Sequence, residues 1–461
     1  MPYLIIFIFV IFLTTRLLPY IKNSIPLGYD PGLYLYLFKS YREVPFTAFQ
    51  TLPDWIVEMY EPGVALVGRT LSLIVSPEKI LIPLIISASI LLFISVFLLT
   101  KQLFGQKAAI WTAFLLATSA VQFEFYWYYY LKNIIALSFL LFFFYFLTKR
   151  SYWAILFSTL VIFFHRQISV LLFFSLFVGL LFDKDKRKIF LFSLLSAILF
   201  SALYYIPTAN RTIEPLIEPI RQTFSLGISG RLRSDLGGTF FSFTEELLFS
   251  LLYLPFALYG IMTRGFKKGS VVLLASVILS AIFISFKLFF FRRFIPLLDV
   301  FLLIFAGIGM VNFTNRLASL PKQIFTFIYI LFSVLLIGTF VSFRAHPLIL
   351  EDEFREISLF AEVEKDAYIL VTDQSYTPWI FGWSERKTIA PQFGQYDKFW
   401  TEDDWLKFWE SSDLKSQKEL FSKLPSPLYL FAGDRAALTK FKPNTECLEK
   451  VNWRTYRLIC K

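Results

Sequence analysis

The sequence predicts an α-helical polytopic membrane protein of about eleven transmembrane helices, followed by a small C-terminal α/β domain outside the membrane. Three observations lead there. The 461 residues are 56% hydrophobic, 20% aromatic and only 17% charged, and the mean hydropathy of +0.61 lies beyond the soluble range. Long apolar runs recur between residues 3 and 344, and the turns between them alternate in charge. After residue 344 the apolar runs stop and short mixed segments take over.

The first run, residues 3–21, is too long for a signal-peptide core and no small-x-small cleavage site follows it, so it reads as a retained span. Further runs lie at 79–100, 108–123, 133–148, 151–164, 168–182, 189–206, 245–262, 270–291, 294–312 and 323–344. Those within 133–182 are shorter than the ~20 residues a bilayer requires. They therefore enter at an angle or end in a water-filled cavity. One set of turns, "KQLFGQK", "KR", "DKDKRK", "RGFKK" and "NRLASLPK", carries 13 Lys/Arg against 2 Asp. The positive-inside rule assigns that set and the N-terminus to the cytoplasm. The loop 22–78, the turn 124–132, "HRQ", 207–244, "FRR" and residues 345–461 then face outward. A multi-pass protein of the plasma membrane is expected, with domains at 1–344 and 345–461.

The net charge of +11 does not imply nucleic acid. Residues 345–461 hold 16 basic and 19 acidic residues, so the excess belongs to the membrane part, where orientation accounts for much of it. The chain has neither a GxxxxGK[ST] loop nor a GxGxxG fingerprint, and only two histidines. An enzyme of this kind working outside the membrane would receive its activated substrate on a lipid.

Polar residues gather at the outer ends of the spans. Asp30, in "GYDPGLYLYLF", opens the first outward loop; Asp before Pro-Gly is commonly a turn or helix N-cap residue, and a carboxylate at the interface can also act as a base. The aromatic segment after it is expected to lie flat in the interface, with Lys39, Arg42 and Arg69 near Asp30. Asp54, Glu58 and Glu61 continue the loop. Glu124 and Lys132 flank an aromatic turn. A snorkelling lysine in an aromatic belt explains Lys132 blandly, whereas an acid among Phe, Tyr and Trp requires a cation or a water cavity. His165 and Arg166 form a turn between two short spans, either a chance polar turn or a dip into a cavity. Lys287, Arg292 and Arg293 lie on the outer side, against the orientation rule. They read either as snorkelling arginines or as a guanidinium fork for phosphate, with Asp299 as an internal partner.

In the tail, "AYILVTD" and "PLYLF" are β-prone, while "EDEFREISLFAEVE" and "TEDDWLKFWESS" have helical spacing, the second with Thr401 as N-cap. Cys447 and Cys460 flank a hairpin-like stretch. A disulfide and two free thiols are both open readings.

With these residues in view, the membrane part resembles the integral-membrane C-type glycosyltransferases (the GT-C fold), a group that includes protein O-mannosyltransferases, lipid A aminoarabinose transferases and oligosaccharyltransferase subunits. The resemblance rests on Asp30 after the first span, the long first outward loop, Glu124 after the third span, His165 in a short outward turn and the arginines of "RRFIPLLD". It implies a hexosyl or pentosyl transferase using a polyprenyl- or dolichyl-phosphate sugar donor, and inverting transfer to a glycan, lipid or protein acceptor. It also implies Asp30 as general base, with Glu124 as the second acid. Arg292, Arg293, His165, Arg166 and Lys132 would then hold the lipid phosphate, and a divalent metal (Mg or Mn) would fall to Asp30 and Glu124. The chain departs from the mannosyltransferase Asp-Glu pair ("YDP" here) and from the oligosaccharyltransferase Asp-x-Asp element ("FEF" here), which leaves acceptor and metal open. The rival readings are a transporter or lipid flippase, a polysaccharide polymerase or ligase using loop 207–244, and a non-catalytic assembly protein.

Overall fold

The computed structural model describes residues 2–21, 23–43, 61–206, 241–265, 270–288, 291–391, 399–410, 413–439 and 441–460, together with the helical positions 217, 221 and 225. Asp54, Glu58 and most of loop 207–244 lie outside these residues. The chain divides into two compact units: Met1–Asn23, Val57–Val67 and Ile82–Ala345 form one, and Ser24–Ile56, Gly68–Leu81 and His346–Lys461 the other.

The membrane-part helices run α1 (Pro2–Ile21), α2 (Pro31–Glu43), α3 (Pro62–Ser72), α4 (Pro77–Phe104), α5 (Gln106–Thr118), α6 (Ala120–Trp127), α7 (Leu131–Thr148), α8 (Trp153–Phe164), α9 (Arg166–Phe182), α10 (Arg187–Tyr205), α11 (Phe243–Ser250), α12 (Leu254–Gly260), α13 (Val271–Ser285), α14 (Ile295–Thr314) and α15 (Ser319–Arg344). Each of the eleven apolar runs contains helix. Among the described residues, however, five helices are long and apolar enough to cross a membrane, or up to eight when each bent pair counts as one span. The breaks have local causes. Ser119 ends the α5 run by capping α6, its hydroxyl accepting from the Gln122 N–H at 3.2 Å, and the two helices bend by 55°. Pro255 in the first turn of α12 starts a new helix after α11, at 70°.

In the first unit α14 is the inner helix, buried along nearly its whole length. It lies close to α12 because Gly260 and Gly309 leave no Cβ between the backbones: a side chain at Gly309 would strike the Phe256 carbonyl, and one at Gly260 the Phe305 carbonyl. By contrast, α15 buries only Tyr329, Ser333, Ile337 and Val341, one stripe at intervals of four, and exposes the rest of an apolar surface, as a peripheral helix in lipid does. Arg16, buried in α1, donates to Thr15 and stands over the Phe12 ring, and its carbonyl accepts from the Tyr126 hydroxyl at 2.7 Å. That tie joins α1 to α6.

In the second unit, the tail adds α16 (Glu351–Leu359), β1 (Tyr368–Val371), α17 (Thr377–Ser384), β2 (Lys387–Ile389), α18 (Glu402–Glu410), α19 (Leu414–Ser422), β3 (Leu428–Phe431), β4 (Leu448–Lys450) and β5 (Thr455–Leu458). The five strands form one sheet in the order β2-β1-β3-β5-β4, with β1 parallel to both β2 and β3, and β5 antiparallel to β3 and β4. Leu370, Leu428 and Leu430 from the strands pack with Trp400, Trp405, Phe408 and Phe421. Thr401 caps α18 as its sequence implies: its hydroxyl accepts from Asp404 N–H at 3.2 Å while the Asp404 carboxylate accepts from Thr401 N–H at 3.0 Å. Such a reciprocal cap stabilises by about 1 kcal/mol. Cys447 and Cys460 are joined as a disulfide across the β4–β5 hairpin.

The segment after Asp30 departs from expectation. It does not lie as an interfacial strip. Leu33, Leu35 and Phe38 of α2 are buried within the second unit, because α2 packs on α17.

Candidate active site

Two polar groups are buried in the first unit, and Asp30 belongs to the second. The first group forms where short helices begin. Glu61 precedes α3, and its carbonyl accepts from Ala65 N–H at 3.1 Å, which puts the acid at the N-cap position with Pro62 next to it. Gly63 sets it close to α8, since a Cβ there would run into the Phe164 ring. Lys132, on the first turn of α7, reaches Glu61 Oε2 at 2.8 Å. Arg166 at the start of α9 places Nε 3.8 Å from Glu61 Oε1, with its guanidinium 6.0 Å from the centre of the Tyr205 ring.

His165 links α8 to α9 in extended conformation, and its Nδ1 accepts from Ile168 N–H at 3.3 Å. A neutral ring that accepts at Nδ1 carries its proton on Nε2 and can donate there. Arg293, on the single turn Phe291–Phe294 that leads into α14, lies within electrostatic range of both Lys132 and His165. Arg292 on the same turn directs its guanidinium over the Phe291 ring at 5.8 Å. Among the described residues, one carboxylate thus pairs with two cations, and a third cation and a histidine lie within electrostatic range of Lys132. Such a group is costly to bury and favours an anion.

The second group is acidic. Glu124 of α6 is 2% exposed, and Arg344 at the end of α15 supplies its cation, Nη2 standing 3.4 Å from Oε1. Glu246 of α11, 1% exposed, lies within electrostatic range of Glu124 and Asp299. Asp299 does not pair with Arg292, Arg293 or Lys287 as the sequence suggests. It accepts from Gln122 Nε2 at 2.8 Å, from Ser119 Oγ at 3.2 Å and from the Tyr253 hydroxyl.

Asp30 stands at the N-cap position of α2, its carbonyl accepting from Tyr34 N–H at 3.0 Å. Lys39 serves other acids, pairing with Glu78 at 3.3 Å and Glu385 at 3.1 Å. The Arg42 side chain lies outside the described residues. The expected metal pair, Asp30 and Glu124, falls in separate units, and among the described residues no three His, Cys, Asp or Glu side chains are grouped to hold a metal ion. The described donors do not fit a metal centre.

The structure therefore brings Lys132, His165, Arg166 and Arg293 together and keeps Glu124 with a different set. Glu61, Glu246 and Arg344 are the additions that sequence reasoning missed as site residues. Glu61 had a signal. "YEPG" at 60–63 repeats "YDPG" at 29–32, and both acids cap a helix that begins Pro-Gly.

No family model and no curated protein matches this chain. Solved structures do. The oligosaccharyltransferase AglB of Archaeoglobus fulgidus, in complex with an inhibitory peptide and a dolichol-phosphate, superposes with a TM-score of 0.62 at 14% identity, covering 93% of this chain and 69% of that one. The same enzyme in complex with Zn and sulfate gives 0.62 at 14%, covering 93% and 68%. ArnT of Cupriavidus metallidurans, bound to undecaprenyl phosphate, gives 0.62 at 11%, covering 99% and 97%. The chain has the fold of the C-type glycosyltransferases. The fold that the sequence resemblance implies is thus the observed one, on a multi-pass membrane protein.

Proposed function

We propose that this chain is a membrane glycosyltransferase that moves a sugar from a polyprenyl-phosphate carrier to a glycan, lipid or protein acceptor on the outer face of the plasma membrane, with inversion. The observation that carries the reading is the basic group of Lys132, His165, Arg166 and Arg293, with Glu61 paired to Lys132 and Arg166. The fold supports it, because both solved relatives are transferases and both hold a polyprenyl or dolichol phosphate.

In this reading the Asp30 carboxylate takes the proton from an acceptor hydroxyl. The acceptor oxygen bonds to the anomeric carbon as the carbon–oxygen bond to phosphate breaks. The bonding pair leaves on the phosphate, whose charge rises from −1 to −2 and is held by the cations. The test is turnover by purified protein in nanodiscs, using radiolabelled polyprenyl-phosphate sugars extracted from host membranes. Time-dependent release of label from the lipid, slowed by added undecaprenyl phosphate, is expected. Stable donor that is only bound or moved between leaflets would favour a flippase.

Eleven crossings would keep the five basic turns from "KQLFGQK" to "NRLASLPK" on one side, with the N-terminus cytoplasmic and the 345–461 domain outside. Eight would put both ends on the same side. A protease added to intact cells is expected to cleave a site inserted after Lys461. Full protection, with cleavage after permeabilisation, would reverse the orientation.

A further inference from the structure

We propose that the tail helix α17 is the positioning element for the Asp30 carboxylate, with Gly32, Lys39 and Gly382 as positioning residues; this rests on the reading of Asp30 as the base. The contact is made by backbone. A side chain at Gly32 would run into the Pro378 carbonyl, and one at Gly382 into the Gly32 carbonyl. Two helices meeting through glycines have no side-chain rotamers between them to absorb a shift, so the first turn of α2 is fixed to α17 itself.

Side-chain ties bracket Asp30 on both sides. Before it, the Tyr29 hydroxyl donates to the Gln374 carbonyl at 3.1 Å. After it, Tyr36 meets Phe381 edge-on at 5.6 Å, and Lys39 donates to the Gly382 carbonyl at 3.1 Å while pairing with Glu385. The N-cap residue marks where the helix starts, so fixing that turn fixes Asp30.

The helix that holds it is itself immobilised by the sheet domain. α17 connects β1 to β2, and Trp379 and Ile380 are fully buried. Trp379 stacks on Trp383 at 5.0 Å, with Phe354 edge-on to both. Just beyond the helix the Arg386 guanidinium donates to the carbonyls of Ala361 and Val363 at 2.7 and 2.8 Å. The repeated motif points the same way. In "YEPG" the glycine two residues after the acid lets the start of α3 approach Phe164, and in "YDPG" the equivalent glycine lets the start of α2 approach α17. In both, the glycine serves to hold a carboxylate in place, beyond making a turn.

A general base displaced by 1 Å loses about a hundredfold in rate. A methyl group at Gly382 must push the two helices apart by about that distance. The test uses the full-length protein in nanodiscs with the radiolabelled donor mixture for turnover and undecaprenyl phosphate as the binding probe. Gly382→Ala is expected to lower kcat about ten- to a hundredfold, with the KM for donor and the affinity for undecaprenyl phosphate within twofold of the parent. Lys39→Met, which adds no bulk at the glycine contact, is expected to lower kcat about tenfold, and Lys39→Arg to restore most of it. Unchanged kcat in Gly382→Ala and Lys39→Met, with Asp30→Asn inactive, overturns the positioning role and leaves the base standing. Equal losses of kcat and undecaprenyl phosphate affinity overturn it as well, because they report general damage. An active Asp30→Asn removes the base reading, and this proposal with it.

Discussion

Asp30→Asn is expected to fold, insert and bind undecaprenyl phosphate like the parent, and to lose sugar transfer by about 100- to 10,000-fold, the usual contribution of a general base. Asparagine suits an N-cap as well as aspartate does, so the start of α2 should survive the change. The ties on either side of Asp30 run through Tyr29, Gly32, Lys39 and Gly382, none of which is altered. What the amide cannot do is take a proton from the acceptor. Turnover of the radiolabelled donor and the thermal midpoint of the purified variant separate chemistry from folding. Near-parental transfer at an unchanged midpoint would leave Asp30 as a cap alone. Glu124→Gln would then be the next variant to make, because that buried acid already lies beside Glu246 and the Arg344 guanidinium.

Much of the fold was legible because a bilayer restricts what a chain can do. A run such as 323–344 must be helix, since no other single segment satisfies its backbone in lipid. What could not be read is where such runs bend. The cause at Ser119 is a hydroxyl that also serves Asp299, 180 residues away. The site divides in the same way. His165 and Arg166 adjoin in sequence, and Arg293 is conspicuous for breaking the orientation rule. Their meeting with Lys132 is tertiary, and so is that of Glu61, which pairs with residues 71 and 105 positions further along. Glu124 visibly needed a cation, but Arg344 is the last residue of a helix and lies 220 positions later, and no local spacing connects them. The aromatic segment of α2 misled for a related reason. An amphipathic, aromatic helix suits a membrane surface and a protein surface equally, and only the glycine contact with α17 decides between them.

Arg293→Ala is expected to weaken undecaprenyl phosphate binding about ten- to a hundredfold, with Arg292→Ala within about threefold of the parent. A charge-assisted bond to phosphate contributes roughly 1.5–3 kcal/mol, and each 1.4 kcal/mol is about a factor of ten. The two residues share a turn fixed by Phe291 and Phe294, both buried, with Phe294 lying 4.3 Å from Phe283, centre to centre. Successive residues on so tight a turn cannot face the same way. Arg293 falls within range of Lys132 and His165, whereas Arg292 lies over the Phe291 ring. Lys132→Ala would be a poorer test. It removes the 2.8 Å partner of Glu61 and leaves a carboxylate that is 3% exposed, and breaking a buried pair costs about 3–5 kcal/mol, which mixes folding with binding. Arg293 is half-buried and Arg292 serves as its internal control. The measurement is a titration of undecaprenyl phosphate into each variant in nanodiscs of zwitterionic lipid, which removes competition from anionic headgroups. Equal, unchanged affinities would return both arginines to headgroup contacts. A loss confined to Arg292→Ala would mean that the phosphate is held outside the Glu61 group.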